Sequence, residues 1–498
     1  MDKRPFYLTT TLPYVNADPH IGFALEIVQA DIIARLKRLE GFDVFFNTGT
    51  DEHGLKIYKK AQEENIAVQD YVDKYAKKFD DLKNALNLSY DAFIRTTDKH
   101  HLIATKEFWG RCFKNGDIYK KNYKIKYCVG CELEKTESEL VNGKCPEHPN
   151  RELETIEEEN YFFRFSKYQN ALLDLYEKNP EFVVPDFRFN EIKSFVKNGL
   201  IDFSISRLKE KMPWGVPIPN DENHVMYVWF DALINYISTL DWPENKEKFE
   251  KFWGTYENSN AIQFAGKDNL RQQSAMWQAM LLSAGLSTTK QIMIHGFILT
   301  ESGEKISKSA VKVISARHTD DTTNPFYYVQ EYGTDAVRYY LARHIHPFGD
   351  TIFSPDYFRE GYNAGLANGL GNLVSRIVKM SINYNVNFNV DKLKNIWEMD
   401  SDSELKEYKN YFEKFEFNKA LDLIWFKIGD MYKKITETQP FKLIKTDEKK
   451  AKEIVSGLVF DLYKIAKLLE PVMPETAEKI QKIIESKKMP EPIFLRKD

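Results

Sequence analysis

Cys128, Cys131, Cys145 and His148 carry the most specific spacing in the chain, C-x2-C-x13-C-x2-H. Two close pairs separated by a loop can bring three thiolates and one imidazole around a tetrahedral zinc ion. Four protein ligands leave no open coordination position, so the expected metal is structural rather than catalytic. A second chemistry lies in LTTTLPYVNADPHIGF, residues 8–23, where a strand hands over to a helix at His20 and Gly22. The unpaired N–H groups and positive dipole at a helix start suit a bound phosphate. Gly22 permits close approach of a ligand, and the His20 imidazole can donate to a phosphate oxygen. A third stretch is GFILTESGEKISKS, where Lys305 and Lys308, flanked by Ser307 and Ser309, follow a strand and a glycine turn. Taken singly, the second and third also read blandly, as a capping turn with a stray histidine and as solvated surface lysines.

The elements that must position these groups follow from periodicity. Tyr7, Leu8, Thr9, Thr10 and Thr11 suit a buried strand; Pro13, Asn16, Asp18 and Pro19 break it. Ile21, Ala24, Leu25, Val28, Ile32 and Leu36 recur at helical spacing. Val44, Phe45 and Phe46 open a second buried strand, and TDEHG at its end holds Asp51, able either to meet a substrate ammonium or to cap the next helix. HVMYVWFDALINYIS reads as a strand and then a helix carrying Trp229, Ala232 and Tyr236 three and four residues apart on one face. AGKDNLRQQSAMWQAML runs from a strand end into a helix. This alternation predicts a doubly wound parallel α/β sheet whose ligands bind beyond the C-terminal strand ends. From residue 362 onward the pattern is helical. Leu366, Leu370, Leu373, Ile377 and Met380, then Leu405, Tyr408, Phe412 and Phe415, predict a helix bundle.

Composition sets bounds. With 498 residues, two to four domains are expected. The net charge of −4 gives no global basic footprint, so any nucleic-acid contact must use local patches. No apolar run is long enough to span a membrane, and MDKRP leads straight into a strand without room for a signal peptide. Four cysteines argue for a reducing, cytoplasmic setting, and Cys112 reads as a core residue.

Together, HIGF early and KISKS late resemble the two signature motifs of class I aminoacyl-tRNA synthetases. GTDEHG, DAFIRTTDKHH, GKD, the zinc knuckle, NLVSR and TETQPF are similar to segments of the methionyl-tRNA synthetases in the same order. The resemblance implies a Rossmann-like catalytic sheet (1–115 and 221–325) split by a connective insertion with the knuckle (116–220). A connecting region (326–361) and an all-α anticodon-binding bundle (362–498) would follow. It implies methionine activation with ATP and Mg2+, then transfer to a tRNA with a CAU anticodon. His20, Lys305 and Lys308 would be catalytic. Gly22, Gly266, Ser307 and Ser309 would join them around ATP. Leu12, Tyr14, Asp51, Trp229, Ala232, Tyr236, Asp268, Gln273 and Trp277 would surround methionine, an unbranched thioether that suits aromatic company. Asn372, Arg376 and Phe441 would read the anticodon.

Five positions depart from the family pattern: Phe23 replaces a second histidine, Gln273 a histidine, Asn269 an aliphatic residue, Phe441 a tryptophan and, conservatively, Ile306 a methionine. A monomer without a further tRNA-binding appendage, without DNA or membrane partners, is expected. Two other readings remain. A synthetase for another apolar amino acid would usually need a large editing insertion. A non-catalytic tRNA-binding relative would fit Phe23 but not the lysine pair.

Overall fold

The computed structural model describes residues 3–131, 133–135, 139–255, 258–306, 323–398, 402–488 and 491–498. Ser307, Lys308 and Ser309 lie outside the described residues.

The expected parallel sheet is present. Its strands are β1 (Pro5–Thr9), β2 (Asp43–Thr50), β3 (Ala92–Arg95), β4 (Val183–Val184), β5 (Ala261–Gly266) and β6 (Gln291–His295). They run in the order β3-β2-β1-β5-β6-β4, and every pair is parallel. Outward from β1 come β2 and β3, and outward from β5 come β6 and then the earlier strand β4, so the direction of progression reverses between β1 and β5. The crevice between their C-terminal ends is therefore the place where such sheets bind ligands. Phe6, Tyr7 and Leu8 are buried in β1, as are all six residues of β5.

Helix α1 (Ile21–Leu39) follows β1, and its apolar stripe is buried throughout. Burial goes further than the stripe: Glu26, Gln29 and Asp31 are buried too, because α1 is covered by the helix Thr334–Arg343 as well as by the sheet. Asp31 pairs there with fully buried Arg338 at 2.8 Å. The same guanidinium donates to the carbonyls of Val472, Pro471 and Leu86 at 2.7, 3.0 and 3.0 Å. One buried ion pair thus ties the sheet to the C-terminal helices, and removing one partner of such a pair costs about 3–5 kcal/mol.

The insertion is a long antiparallel hairpin of Ile118–Cys128 and Glu154–Phe163, flanked by Leu133–Lys135 and Phe203–Ser204. It also returns β4 to the edge of the main sheet. The strand expected in HVMYV is Asp221–Met226, and it joins a three-stranded antiparallel sheet with Ser206–Leu208 and Pro217–Ile218 instead of the main one. The helix after it is broken. Val228–Ala232 and Asn235–Ser238 are two short helices joined by a turn, so Trp229, Ala232 and Tyr236 do not share one continuous helix. Cys112 is buried, and burial pushes its thiol up to about 12.

The C-terminal part is the expected bundle, with the two apolar stripes buried. It opens with a wide helical turn, Asn363–Gly371, leading into Asn372–Asn383. Gly365 is required there: a Cβ would fall 1.9 Å from Tyr339 Oη. No helix among the described residues is long and apolar enough to cross a membrane.

Candidate active site and zinc knuckle

His20 is the N-cap of α1, and its Nδ1 accepts from Gly22 N–H at 3.1 Å. The capping and functional readings are therefore not rivals. Using Nδ1 as the cap acceptor leaves the proton on Nε2, so the ring is held as a donor in a fixed tautomer. Gly22 makes this possible, since a Cβ there would stand 3.0 Å from the imidazole. Phe23 packs edge-on against buried Phe79, ring centroids 5.2 Å apart; its departure from histidine serves packing.

Behind this corner lies a buried link that periodicity does not reveal. Glu26 Oε1 accepts from Thr11 N–H and Thr11 Oγ1 at 2.7 and 2.6 Å, and Oε2 accepts from His295 Nε2 at 2.8 Å. His295 Nδ1 donates to the Gly296 carbonyl at 2.8 Å. Burial opposes a charge on His295, but the hydrogen bond and charge of Glu26 outweigh it and hold the imidazole above its ordinary range. The ends of β1 and β6 are thereby locked to α1.

Asp51 does not cap the following helix, whose N-cap is Gly54. It lies at the end of β2, bridged to Tyr14, which brings two of the expected amino-acid contacts together. Its neighbour His53 donates through Nδ1 to Asp231 at 2.7 Å, and His101 donates to the other Asp231 oxygen at 3.0 Å. Asp231 is fully buried. Burial alone would raise its carboxyl; the His53 charge and the two histidine hydrogen bonds outweigh this and lower it to about 2. This cluster joins the β2 turn to the helix that carries Trp229 and Ala232.

The structure brings Tyr236, Gln273 and Trp277 together. Gln273 Nε2 donates to Tyr236 Oη at 2.7 Å, and Tyr236 lies 5.9 Å from Trp277, ring to ring. Glutamine thus keeps a donor on the tyrosine. Gln273 stands on a π-helical turn, Gln272–Met276, a local widening common at functional sites. Among the described residues Trp229 Nε1, Trp277 Nε1 and Gln273 Oε1 are buried without a hydrogen-bond partner, so each keeps hydrogen-bonding capacity for a bound group or an ordered water. Leu12 and Tyr14 are half-buried and Ala232 is buried.

Lys305 pairs with Asp268 at 2.6 Å. Gly266 is tight here, since a Cβ would lie 2.7 Å from Asp268 Oδ1. Lys305 and Asp268 line a cavity of about 1060 Å³ together with Trp229, Asn269, Gly130, Cys131 and His148. The knuckle therefore forms part of the cavity wall. Arg271 pairs with Glu139 at 2.8 Å.

In the knuckle the ligand atoms of Cys128, Cys131, Cys145 and His148 all lie within 4.8 Å of one another. The first pair spans the turn where Cys128 faces Leu133 across two strands; His148 N–H donates to the Cys145 carbonyl at 3.1 Å. Gly130 leaves room for the imidazole, since a Cβ would fall 2.4 Å from His148 Cδ2. His148 Nδ1 is buried without a partner among the described residues. Three soft thiols and an orphaned imidazole nitrogen fit a tetrahedral zinc ion.

A family model described as tRNA synthetases class I (M) matches residues 6–156 and 150–378, and one described as the anticodon-binding domain of tRNA ligase matches residues 402–497. The chain belongs to the class I (M) tRNA synthetases. Similar proteins include a methionine–tRNA ligase of Thermotoga maritima, 41% identical over 485 residues, 95% of this chain and 74% of the relative. Another, from Thermosynechococcus vestitus, is 46% identical over 364 residues, covering 73% and 66%. Among solved structures, a Mycobacterium tuberculosis methionyl-tRNA synthetase in complex with methionyl-adenylate superposes with a TM-score of 0.86. It is 35% identical and the match covers 96% of this chain and 94% of that one.

This class I (M) synthetase carries its candidate anticodon residues on the bundle. Asn372 and Arg376 are exposed. The Arg376 guanidinium lies 5.9 Å from the Tyr432 ring. Tyr432 sits on Phe417–Thr438, and at 1.5 Å per residue Gln439 follows about 10 Å farther along. Gln439 turns left-handed at φ 41°, Pro440 starts a new short helix, and Phe441 is left 45% exposed. Glu26, Asp231, His101 and His295 are the functional candidates that sequence reading missed. For Glu26, Asp231 and His295 the signal was a charged or imidazole group inside an otherwise apolar run, as in FALEIV and WFDAL; His101, in TTDKHHLIAT, carried no such signal.

Proposed function

We propose that this chain is a methionine–tRNA ligase, which activates methionine with ATP and transfers it to the 3′ end of a tRNA bearing a CAU anticodon. The observation that carries this is the cavity in which Asp268 and Lys305 meet Trp229 beside the buried Tyr236–Gln273–Trp277 group, in a chain about 40% identical to methionine–tRNA ligases. A methionine carboxylate oxygen attacks the α-phosphorus of ATP, the bond to the bridging oxygen of pyrophosphate breaks, and pyrophosphate leaves. Such a step needs positioning and cationic stabilisation rather than a side-chain nucleophile.

In this reading His20 Nε2 and the α1 N-terminus hold phosphate, with Gly22 and Gly266 allowing approach. Lys305 leaves Asp268 for the triphosphate, joined by Lys308, Ser307 and Ser309. Asp51 takes the ammonium with Asp268 near the substrate, and Leu12, Tyr14, Trp229, Ala232, Tyr236, Gln273 and Trp277 enclose the thioether. Mg2+ accompanies ATP as part of the substrate. Cys128, Cys131, Cys145 and His148 would hold zinc, which supplies rigidity to the insertion; metal analysis should give about one zinc per chain. Asn372, Arg376 and Phe441 meet the anticodon. The division at 1–115, 116–220, 221–325, 326–361 and 362–498 belongs to the same proposal, as do a monomeric state and a cytoplasmic setting. The test is charging of tRNA transcripts with labelled methionine. Charging of a CAU transcript, lost when the anticodon is changed, is expected; equal charging of both would contradict the anticodon assignment.

A further inference from the structure

Phe297 follows β6, and its ring carries two ammonium groups. Lys305 Nζ lies 3.8 Å and Lys267 Nζ 4.4 Å from its centroid. Each lysine has its own counter-charge. Lys305 pairs with Asp268 at 2.6 Å, and Lys267 pairs with Asp350 at 2.7 Å. Asp350 also accepts from Phe297 N–H at 2.9 Å, so one carboxylate fixes both the backbone of the aromatic residue and one of its two cations. The approach depends on Gly296, where a Cβ would fall 2.3 Å from the Gly349 carbonyl. Asp350 is thus delivered by a turn from the connecting region onto the end of the catalytic sheet.

Phe297, Lys267, Asp268 and Lys305 all line the large cavity. The negative face of an aromatic ring attracts a cation whether or not that cation also has a carboxylate partner. When a polyanion competes with Asp268 for Lys305, the ring stays in place beneath the ammonium. We infer that Phe297 and Asp350 are positioning residues for ATP. The ring keeps Lys305 and Lys267 facing the cleft as their carboxylates yield to phosphate, and Asp350 keeps the ring in register. This rests on the reading of the cleft as an adenylate-forming site. A purely apolar role for a half-buried phenylalanine makes a different forecast, that leucine serves as well.

The experiment is methionine-dependent ATP–pyrophosphate exchange as a function of ATP, for the full chain and for Phe297→Leu, Phe297→Tyr and Asp350→Asn. Methionine affinity is followed in parallel by tryptophan fluorescence. Phe297→Leu should lower kcat/KM for ATP about tenfold, chiefly through KM, while Phe297→Tyr, which keeps the aromatic face, stays within about twofold of the wild type. Asp350→Asn should fall between them, and methionine affinity should hold in all three. Leucine equal to phenylalanine, tyrosine as impaired as leucine, or loss of methionine affinity alongside ATP would each overturn the inference while leaving the functional reading intact. A wild-type chain without exchange would overturn that reading, and this inference with it.

Discussion

The sheet end and the bundle end of this molecule are built on opposite terms. At the sheet end several of the candidate groups rest on a buried polar backing. Thr11 and α1 are joined through Glu26 and His295, the Asp51 turn rests on His53–Asp231–His101, and Tyr236 is held by Gln273. At the bundle end Asn372, Arg376 and Phe441 stand exposed on helices whose buried faces are apolar. The difference fits the two proposed tasks. Charge that develops in a transition state is stabilised best by dipoles and ions fixed beforehand. Single-stranded loop bases are read by stacking and edge contacts from accessible side chains. Substitutions at the first end should therefore strike chemistry and folding together, and those at the second should strike tRNA use alone.

The sharpest break is expected at His20. His20→Ala removes the proposed phosphate donor and the α1 cap at once. Exchange should fall by about 10²–10³-fold, with a stability loss of about 1 kcal/mol from the missing cap. Urea melts run beside the kinetics separate the two; exchange within a few-fold of wild type would refute the assignment. Next comes Phe441→Ala, for which the loss of stacking should raise KM for tRNA by roughly 5–150-fold, the equivalent of about 1–3 kcal/mol, with exchange unchanged. Parallel loss of exchange would erase the contrast between the two ends.

A smaller, pH-dependent effect is expected at Asp231. Its carboxyl is lowered in the folded chain to about 2 from an ordinary 3.8. The stability it contributes is complete above about pH 4 and is lost as pH falls through about 2. Its size is about 2 kcal/mol. Asp231→Asn should therefore flatten the acid limb of the stability profile in that window, measured as the difference from wild type. An unchanged acid limb would show that the two histidines do not stabilise the carboxylate.

Much of this organisation was legible in the sequence because it rests on local rules. The strand-to-helix handover at His20, the knuckle spacing and the apolar stripes of the bundle depend on residues near one another in the chain. The rest depended on pairings across long separations. Glu26 and His295 meet only once the sheet order puts β1 and β6 on either side of β5. HVMYV alternates like any strand, and nothing local says that it joins the small antiparallel sheet. Val183–Val184 is too short to announce itself as an edge strand. The break after Ala232 was hidden by apolar residues that continue through it.

The most direct test of the central claim is ATP–pyrophosphate exchange with each amino acid in turn, without tRNA. Exchange with methionine alone is the result this account requires, since it needs the phosphate corner, the lysine loop and the aromatic pocket to act on one substrate. Exchange with another amino acid would contradict the pocket assignment, and exchange with none would contradict the assignment of the cleft as an adenylate-forming site.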